Sequence, residues 1–532
     1  MNNRMTASGS LALAALLFCC LPQAAQAADD ACAALKHYKL QGGAVDAVEV
    51  LAPPATFDIG FQGLPPLPVT AGFCRVQAHL TPTPASNIRI EVWLPPADAW
   101  NGKFVGTGNA GFAGNFTSPY LFMRSAVAKG YAAAGTDTGH VGNRMGEPPS
   151  ADWALHQPEK IKDYGYRAEH LTAIAGKALV QAYYRHAPKH AYFQGCSNGG
   201  REALMEARRF PDDYEGIIAG APAADWVGLA TGFAWNTLAA HKSPEGALTT
   251  GKLAILQSAA LKQCDLLDGV SDGVLEDPRQ CKFDPASVEC PNGADGDSCL
   301  NAAQVETARK IYGGPINPRT GASLFPGFAV GSEAVQWGQW ITGPATDQSA
   351  FATSFYRNMV FSDPDWQLSS LDFDHDVDKA RAVAGPALDS NDPDIAAFAK
   401  RGGHLLLYQG WADAAIPPQA TINYYEAVRQ KIGAARTDSA VRFFLVPGMA
   451  HCLGGPGPND FDTLDALDHW VDSGQAPERL VAAKYETEYA DLLGLPKGEP
   501  QRTRPLCAYP QTAHYKGGGS ADEADNFICR RQ

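Results

Sequence analysis

The feature that most constrains this chain is a serine flanked by glycines, in the segment Gly195-Cys196-Ser197-Asn198-Gly199. A short apolar run, 191–193, precedes the segment, and a run typical of a helix, 201–209, follows it. A sharp turn between a strand and a helix holds its serine in strained backbone, and the glycines leave room for neighbouring main chain. The serine hydroxyl then lies beside the N–H groups that begin the helix. The segment therefore predicts a nucleophilic serine.

The length and charge of the chain limit its class. A chain of 532 residues is long for one domain and predicts two or three structural units. A formal net charge of −14 argues against nucleic acid or an anionic membrane surface as a partner.

Residues 1–27 have the pattern of a secretory signal peptide. Arg4 precedes an apolar stretch, 11–17, and Ala25-Gln26-Ala27 is typical of a cleavage site. No later apolar run is long enough to cross a bilayer. We expect a mature chain that begins at Ala28 and is secreted or periplasmic; an uncleaved anchor is the alternative.

The cysteines support export. Cleavage would remove two of the twelve cysteines and leave ten, an even number that indicates disulfides in an oxidising compartment. None of the ten forms a Cys-x-x-Cys pair, which argues against a zinc ribbon or a thioredoxin-like site.

Predicted strands and helices alternate in two separate parts of the chain. Helices are predicted over 166–184, 420–432 and 461–472, and strands precede or follow each of them. Such alternation favours a parallel or mostly parallel sheet. Between the two parts lies a segment rich in Trp, Cys, Asp, Gly and Pro. We therefore predict a core formed by 28–223 and 392–532, with an inserted lid domain at 224–391.

A serine nucleophile needs a base and a carboxylate that orients the base. Asp413 comes just after the predicted strand 405–408, and His451 comes just after the predicted strand 441–446. The order Ser, Asp, His, with each residue on a loop after a strand, is that of an α/β-hydrolase. We therefore predict that Ser197 is the nucleophile, His451 the base and Asp413 the orienting carboxylate.

Other assignments were weighed for these positions. Asp413 would otherwise be a turn-capping carboxylate and His451 a structural loop histidine. His140 and His404 are weaker candidates for the base, because the first lacks the expected order and the second begins a strand. The glycine-rich loop 107–114 is either a plain turn or the source of the second oxyanion donor.

A cysteine lies beside each reacting residue of the predicted triad. Cys196 precedes Ser197, and Cys452 follows His451. If the serine and histidine are within hydrogen-bond reach, the two cysteines are neighbours and should bond in an oxidising compartment. Because the bridge would close a loop of roughly 250 residues, the chain-entropy model gives about 5 kcal/mol of stabilisation.

The segments 195–202, 410–413 and 447–452 together resemble the tannase and feruloyl esterase family, and the resemblance covers essentially all of the mature chain. It implies an α/β-hydrolase fold with a large inserted lid. It also implies a secreted serine hydrolase of hydroxycinnamic or gallic esters, without an organic cofactor, whose oxyanion donors are the N–H groups of Gly111 and Asn198. The implied disulfides are Cys32–Cys74, Cys196–Cys452, Cys264–Cys281, Cys290–Cys299 and Cys507–Cys529.

Two other functions are compatible with these residues. The family includes an enzyme that hydrolyses mono(2-hydroxyethyl) terephthalate, so this activity is one alternative. A hydrolase-fold binding protein without catalysis is the other, although such a protein has no need of all three triad residues.

An acidic loop, 264–277, is the second group of residues with recognisable chemistry. Three aspartates lie within eight residues, and two glycines permit tight winding. Hard oxygen ligands suit Ca²⁺, although the spacing is not that of an EF-hand, and a solvated acidic turn is the alternative. The family resemblance implies a structural calcium in the lid, bound by the side chains of Asp265, Asp268 and Asp272 and the carbonyls of Val270 and Val274.

Aromatic residues of the lid are candidates for contact with a planar aromatic acid. Trp340, Phe355 and Tyr356 would flank the ring, and Arg357 would bind ring substituents or a carboxylate. For each of them, ordinary lid packing or solvation is the alternative. By resemblance, Gln409 and Ile416 face the substrate on either side of Asp413.

Overall fold

The computed structural model describes residues 30–531, apart from residues 62, 145, 295, 489 and 491–494. The predicted signal peptide, 1–27, lies outside the described residues. Among the residues that are described, no helix has the length and apolar character needed to cross a bilayer.

A nine-stranded sheet occupies the centre of the described structure, and smaller strand pairs accompany it. The strands, in chain order, are β1 (Gly43–Leu51), β2 (Thr56–Phe57), β3 (Leu67–Pro68), β4 (Phe73–Leu80), β5 (Ile88–Leu94), β6 (Lys103–Thr107), β7 (Ala132–Thr136), β8 (His190–Cys196), β9 (Gly216–Gly220), β10 (His404–Gly410), β11 (Val441–Val446), β12 (Arg479–Lys484), β13 (Arg502–Cys507), β14 (Gln511–Tyr515) and β15 (Phe527–Arg531).

The sheet has the strand order β1-β4-β5-β7-β6-β8-β9-β10-β11. The pairs β1–β4, β4–β5 and β5–β7 are antiparallel, and every pair from β7 to β11 is parallel. The parallel strands β6, β7 and β9 are buried along their whole length, as is typical of parallel strands covered on both faces. The prediction of a mostly parallel sheet is confirmed.

Helices cover both faces of this sheet. The α-helices are α1 (Thr117–Ala128), α2 (Pro158–Lys162), α3 (Ala168–Tyr184), α4 (Asn198–Arg209), α5 (Trp226–Ala240), α6 (Thr250–Cys264), α7 (Ala302–Gly313), α8 (Glu333–Trp337), α9 (Asp347–Ser354), α10 (Asp376–Val383), α11 (Gly385–Leu388), α12 (Ala396–Lys400), α13 (Pro418–Ile432), α14 (Ala434–Ala440) and α15 (Thr463–Ser473).

Alternate residues of the central strands belong to two different hydrophobic cores, one on each face of the sheet. One core contains Val105, Tyr192, Ile218, Leu406 and Phe444. The other contains a residue next to each of these in its strand, namely Phe104, Phe193, Ile217, Leu405 and Phe443. Burial on both faces therefore fixes the register of the strands that carry the predicted triad.

The chain leaves the central sheet at the end of β9 and returns to it at β10. In the described part of 221–403 the chain forms the helices α5 to α12, with no strand of the nine-stranded sheet. Leu253, Leu256, Val305 and Ile311 from this segment form a separate small core. The exact limits of the lid, 224 and 391, stay a prediction.

The structure contains all five disulfides that the family resemblance implies. Cys264–Cys281 and Cys290–Cys299 lie within the segment between β9 and β10. Cys32–Cys74 ties the N-terminal residues to β4, and Cys507–Cys529 joins β13 to β15. The fifth disulfide, Cys196–Cys452, lies at the candidate active site.

Candidate active site

Ser197 lies at the sharp turn between β8 and α4. Its backbone is in the left-handed half of conformational space, with φ 64° and ψ −121°. A Cβ atom on Gly195 would lie 2.5 Å from the backbone of Gly199, and one on Gly199 would lie 2.9 Å from the carbonyl oxygen of Asn109. Only glycine fits this crossing, so the turn predicted around the serine is present and the serine side chain lines a cavity.

Asp413 and His451 form a hydrogen-bonded pair beyond the ends of two neighbouring parallel strands. Nδ1 of His451 lies 2.9 Å from Oδ2 and 3.1 Å from Oδ1 of Asp413. The backbone N–H groups of Ala415 and Ile416 each donate to Oδ1 at 2.8 Å. These bonds orient the imidazole so that Nδ1 faces the carboxylate and Nε2 lies on the opposite side of the ring.

A disulfide connects the residue before Ser197 to the residue after His451. The Cα atoms of Cys196 and Cys452 are 5.9 Å apart. Cys452 has φ 66°, so the histidine loop turns sharply at the bridge. The bridge therefore holds the serine turn and the histidine loop next to each other.

The two predicted oxyanion donors lie on separate segments beside the serine. Gly111, with φ 53°, belongs to the loop after β6, and Asn198 is the first residue of α4. Among the described residues, no protein group accepts a hydrogen bond from either backbone N–H. Gly111 and Ser197 line the same cavity, and the role of the two N–H groups as oxyanion donors stays a prediction.

The cavity beside Ser197 has largely aromatic and aliphatic walls. Trp340, Ile416 and Phe355, three of the predicted substrate contacts, lie among its lining residues. The rings of Trp340 and Phe351 are parallel with centroids 6.3 Å apart, and Trp340 meets the His451 ring edge-on at 5.3 Å. The full lining is Gly111, Phe112, Ser197, Ala223, Trp226, Leu229, Ala230, Phe233, Trp340, Phe351, Phe355, Ala415 and Ile416.

Gln409 is not among the residues that line this cavity, and its contact with a substrate stays a prediction. Its side chain is fully buried, and its Nε2 donates to Oδ2 of Asp413 at 2.9 Å. Its Oε1 accepts from the hydroxyl of Thr421 at 2.8 Å. The amide therefore adds a hydrogen bond to the Asp413 carboxylate, beside those from Ala415 and Ile416.

Arg357 and Tyr356 also lie outside the lining of the cavity, contrary to prediction. Nε of Arg357 donates to the carbonyl oxygen of Trp366 at 3.2 Å. The Tyr356 hydroxyl lies 2.8 Å from the hydroxyl of Thr231. Successive side chains of a helical turn point in different directions, so this turn presents Phe355 and not its two successors.

The alternative candidates for the base have structural positions. Nε2 of His140 lies 2.8 Å from the carbonyl oxygen of Phe112, and its ring stacks on Trp153. Burial lowers the pKa of His140 to about 3. His404 stacks on Trp470 at the opposite end of β10 from Asp413.

Sequence reasoning missed a buried polar layer behind the serine turn. The Asn198 side chain bonds to Tyr164, Arg201 and Glu202. Burial raises the pKa of Glu202 to about 6. Burial, followed by the charge of Glu202, raises the pKa of the neighbouring Glu169 well above its ordinary value. Asn198, Arg201 and Glu202 belong to the segment 195–202 that carries the family resemblance, but the sequence does not show which residues their side chains bond to.

The acidic loop lies in the segment between β9 and β10, where it begins with a short helical turn, Asp265–Asp268. Burial, with repulsion from Asp272 and Asp265, raises the pKa of Asp268 to about 6. Asp272 also pairs with Arg504 of β13. The charges of Asp265 and Asp272 therefore act on Asp268, while the charge of Asp272 is itself matched by Arg504. The calcium assignment of these aspartates stays a prediction.

The fold and the site define an α/β-hydrolase, with a strand-end serine, a paired histidine and aspartate, and a helical segment over the cavity. Comparison with known proteins identifies one family within this fold class. The sequence pattern described as tannase and feruloyl esterase matches residues 74–530. The chain belongs to this family, and it is a carboxylic ester hydrolase.

Individual relatives agree with the family. The chain is 42% identical over 503 residues to an uncharacterized esterase of Xanthomonas campestris, covering 86% of this chain and 84% of the relative. It is 33% identical over 499 residues to the mono(2-hydroxyethyl) terephthalate hydrolase of Piscinibacter sakaiensis, covering 82% and 80%. The crystal structure of feruloyl esterase B from Aspergillus oryzae matches with a TM-score of 0.85 at 29% identity, covering 94% of this chain and all of that one.

Replacing both Cys196 and Cys452 by serine should destabilise the protein more than removing any short-range bridge. The residues are 256 apart in sequence, so the chain-entropy model gives a loss of about 5.5 kcal/mol in unfolding free energy. The melting temperature and the rate of ester hydrolysis should both fall, because the serine and histidine loops are no longer joined.

The Cys290→Ser/Cys299→Ser variant is the matched control. Its residues are only 9 apart, which corresponds to a loss of about 2.6 kcal/mol, and it leaves the serine turn intact. Equal destabilisation in the two variants, or full activity without Cys196–Cys452, would contradict the prediction.

Proposed function

We propose that this chain is an exported serine hydrolase that cleaves esters of hydroxycinnamic or gallic acids through an acyl-enzyme on Ser197. The observation that carries the proposal is Ser197 at the wall of an aromatic cavity, with the His451–Asp413 pair tied beside it by Cys196–Cys452. Five disulfides support an oxidising destination. The leader sequence supports the same destination.

The proposed mechanism uses only groups of this chain. Oγ of Ser197 attacks the ester carbonyl while Nε2 of His451 removes its proton, and Asp413 stabilises the resulting imidazolium. The backbone N–H groups of Gly111 and Asn198 bind the oxyanion. Protonated His451 then donates its proton to the leaving alcohol. Water, activated by the same imidazole, attacks the acyl-enzyme and releases the acid.

The lining of the cavity favours an aromatic ester whose ring carries no second carboxylate. Six aromatic rings surround it, and no described lining side chain carries a formal charge. A terephthalate monoester would bring a second carboxylate into this space, where no cation would pair with it, and a buried unpaired charge is costly. Terephthalate monoester hydrolysis is the alternative activity, because the Piscinibacter sakaiensis relative is a mono(2-hydroxyethyl) terephthalate hydrolase.

A structural Ca²⁺ in the acidic loop is the second part of the proposal. Asp265, Asp268 and Asp272 would bind it with the carbonyls of Val270 and Val274, since all are hard oxygen ligands. The ion would neutralise mutually repelling carboxylates and hold the loop closed next to Cys264–Cys281. It has no assigned part in the chemistry.

Ser197→Ala should lower ester turnover by about 10⁴-fold or more, since it removes the nucleophile. Its melting temperature should stay within about 2 °C of the parent, because the turn still accommodates a small side chain. A fluorophosphonate probe should label the parent at Ser197 alone. Ser439→Ala, at an exposed serine, is the control that should keep full turnover. Unchanged turnover in Ser197→Ala would exclude the proposed mechanism.

A substrate panel should separate the two candidate activities. Methyl ferulate, methyl caffeate, methyl gallate and a galloyl depside test the neutral aromatic acids. Bis- and mono(2-hydroxyethyl) terephthalate share the same ring and ester, but the diester has a second hydroxyethyl ester where the monoester has a negative carboxylate. We expect kcat/KM for the neutral diester to exceed that for the monoester at least about tenfold, which corresponds to about 1.4 kcal/mol. Preference for the monoester would overturn the proposal, and a folded protein inactive on all would favour a binding protein.

Removal of Ca²⁺ should lower the melting temperature without changing the serine chemistry directly. At calcium about 100 times above its Kd, binding contributes about 2.7 kcal/mol to stability. EDTA should therefore lower the melting temperature by several degrees, and added Ca²⁺ should restore it. Asp268→Asn should abolish this response, while Asp297→Asn, at an exposed lid aspartate, should retain it. An identical melting curve after exhaustive chelation would exclude the site.

A further inference from the structure

The two predicted oxyanion donors belong to different segments, and nothing in their own backbone fixes the distance between them. Gly111 lies in the loop after β6, and Asn198 lies at the start of α4. An oxyanion is stabilised only if both N–H groups reach it at about 2.7–3.1 Å. The separation of the loop from the helix start must therefore be held by other contacts.

The first connection between these segments is the hydroxyl of Tyr164. It lies 2.9 Å from the carbonyl oxygen of Gly111 and 3.0 Å from Oδ1 of Asn198, and it can donate to either. The hydroxyl thus touches both donor residues at once. Arg201 holds the tyrosine in place, because its Nη2 donates to the Tyr164 carbonyl at 3.0 Å and its Nε donates to Oδ1 of Asn198 at 2.7 Å.

The second connection is the carboxylate of Glu202. Its Oε2 accepts from the backbone N–H of Asn109 at 2.7 Å, and its Oε1 accepts from Nδ2 of Asn198 at 2.8 Å. One oxygen therefore holds the loop and the other holds the helix start. Glu202 is 1% exposed, so water does not compete for these bonds. Nearby Glu169, which reaches Nδ2 of Asn109 at 3.4 Å, completes the buried layer.

A glycine contact prevents the same two segments from moving closer. A Cβ atom on Gly108 would lie 2.6 Å from the Cα of Gly199, so the two backbones already touch. The polar connections resist separation of the segments, and the glycine contact resists their approach. Together they define one spacing.

We propose that Tyr164 and Glu202 are positioning residues that set the spacing between the two N–H groups of the oxyanion hole. This role rests on the proposed function, since it requires Gly111 and Asn198 to act as the donors. Neither side chain lines the cavity, so both act through the residues that they hold. The competing explanation is a polar layer that stabilises the fold without affecting catalysis.

Tyr164→Phe distinguishes the two explanations because it removes a single oxygen atom. We expect kcat for methyl ferulate to fall about 10- to 100-fold, since a small displacement of an oxyanion donor has effects of this size, while KM stays within about threefold. The inhibition constant of an arylboronic acid, whose tetrahedral serine adduct places an oxygen in the hole, should weaken in parallel. Glu202→Gln, which keeps the size but loses one acceptor, should show the same pattern.

Tyr184→Phe is the matched control. Its hydroxyl also donates to a main-chain carbonyl, that of Pro95 at 2.6 Å, but it lies at the end of α3, away from the site. It should lose stability while keeping kcat and boronate inhibition.

The outcomes are distinct. If Tyr164→Phe and Glu202→Gln both keep kcat within about twofold of the parent, the positioning role is wrong. It is equally wrong if kcat falls only in proportion to the loss of folded protein, as measured by fluorophosphonate titration of active sites. If one variant fails to fold, the other decides. If Ser197→Ala retains turnover, the proposed function fails first, whatever the two positioning variants show.

Discussion

Parallel pairing of the strands from β6 to β11 is the constraint on which the site depends. Because parallel strands end at a common edge, Gly111, Ser197, Asp413 and His451 follow strands at the same edge of one sheet. Burial of alternate residues on both faces opposes a one-residue shift in register, because such a shift would move the side chains of the strand to the opposite face of the sheet. The geometry of the serine, histidine and aspartate is therefore a consequence of the core as much as of the loops.

The strand ends bring the loops near one another but do not fix them to each other. The Cys196–Cys452 bridge performs this task between the serine and histidine loops. Tyr164, Glu202 and the Gly108–Gly199 contact perform it between the serine turn and the Gly111 loop. A covalent bond joins the first pair, because the sequence places Cys196 beside Ser197 and Cys452 beside His451. The second pair is joined by buried hydrogen bonds, which are short and strong where water is excluded.

The sequence predicted much of this arrangement because strand ends and turns have local signatures. The glycines around Ser197, and the strands before Asp413 and His451, identified these loops without knowledge of the fold. The sequence did not indicate which way a side chain points within a turn, so Gln409, Arg357 and Tyr356 were assigned to the substrate side although they bond elsewhere. Tyr164 and Glu202 were missed because their partners come from distant parts of the chain.

The division of labour between the sheet and the inserted segment has a consequence for specificity. The groups proposed to react belong to the core strands, whereas Trp226, Phe233, Trp340, Phe351 and Phe355 of the cavity all come from the segment between β9 and β10. Substitutions in that segment can change the acid that fits without moving the serine or histidine. A cation introduced on that side would provide a partner for a second carboxylate, which the present lining lacks. Under the proposed function, the choice between a terephthalate monoester and a neutral phenolic ester would therefore depend on the charge of the inserted wall and not on the catalytic groups.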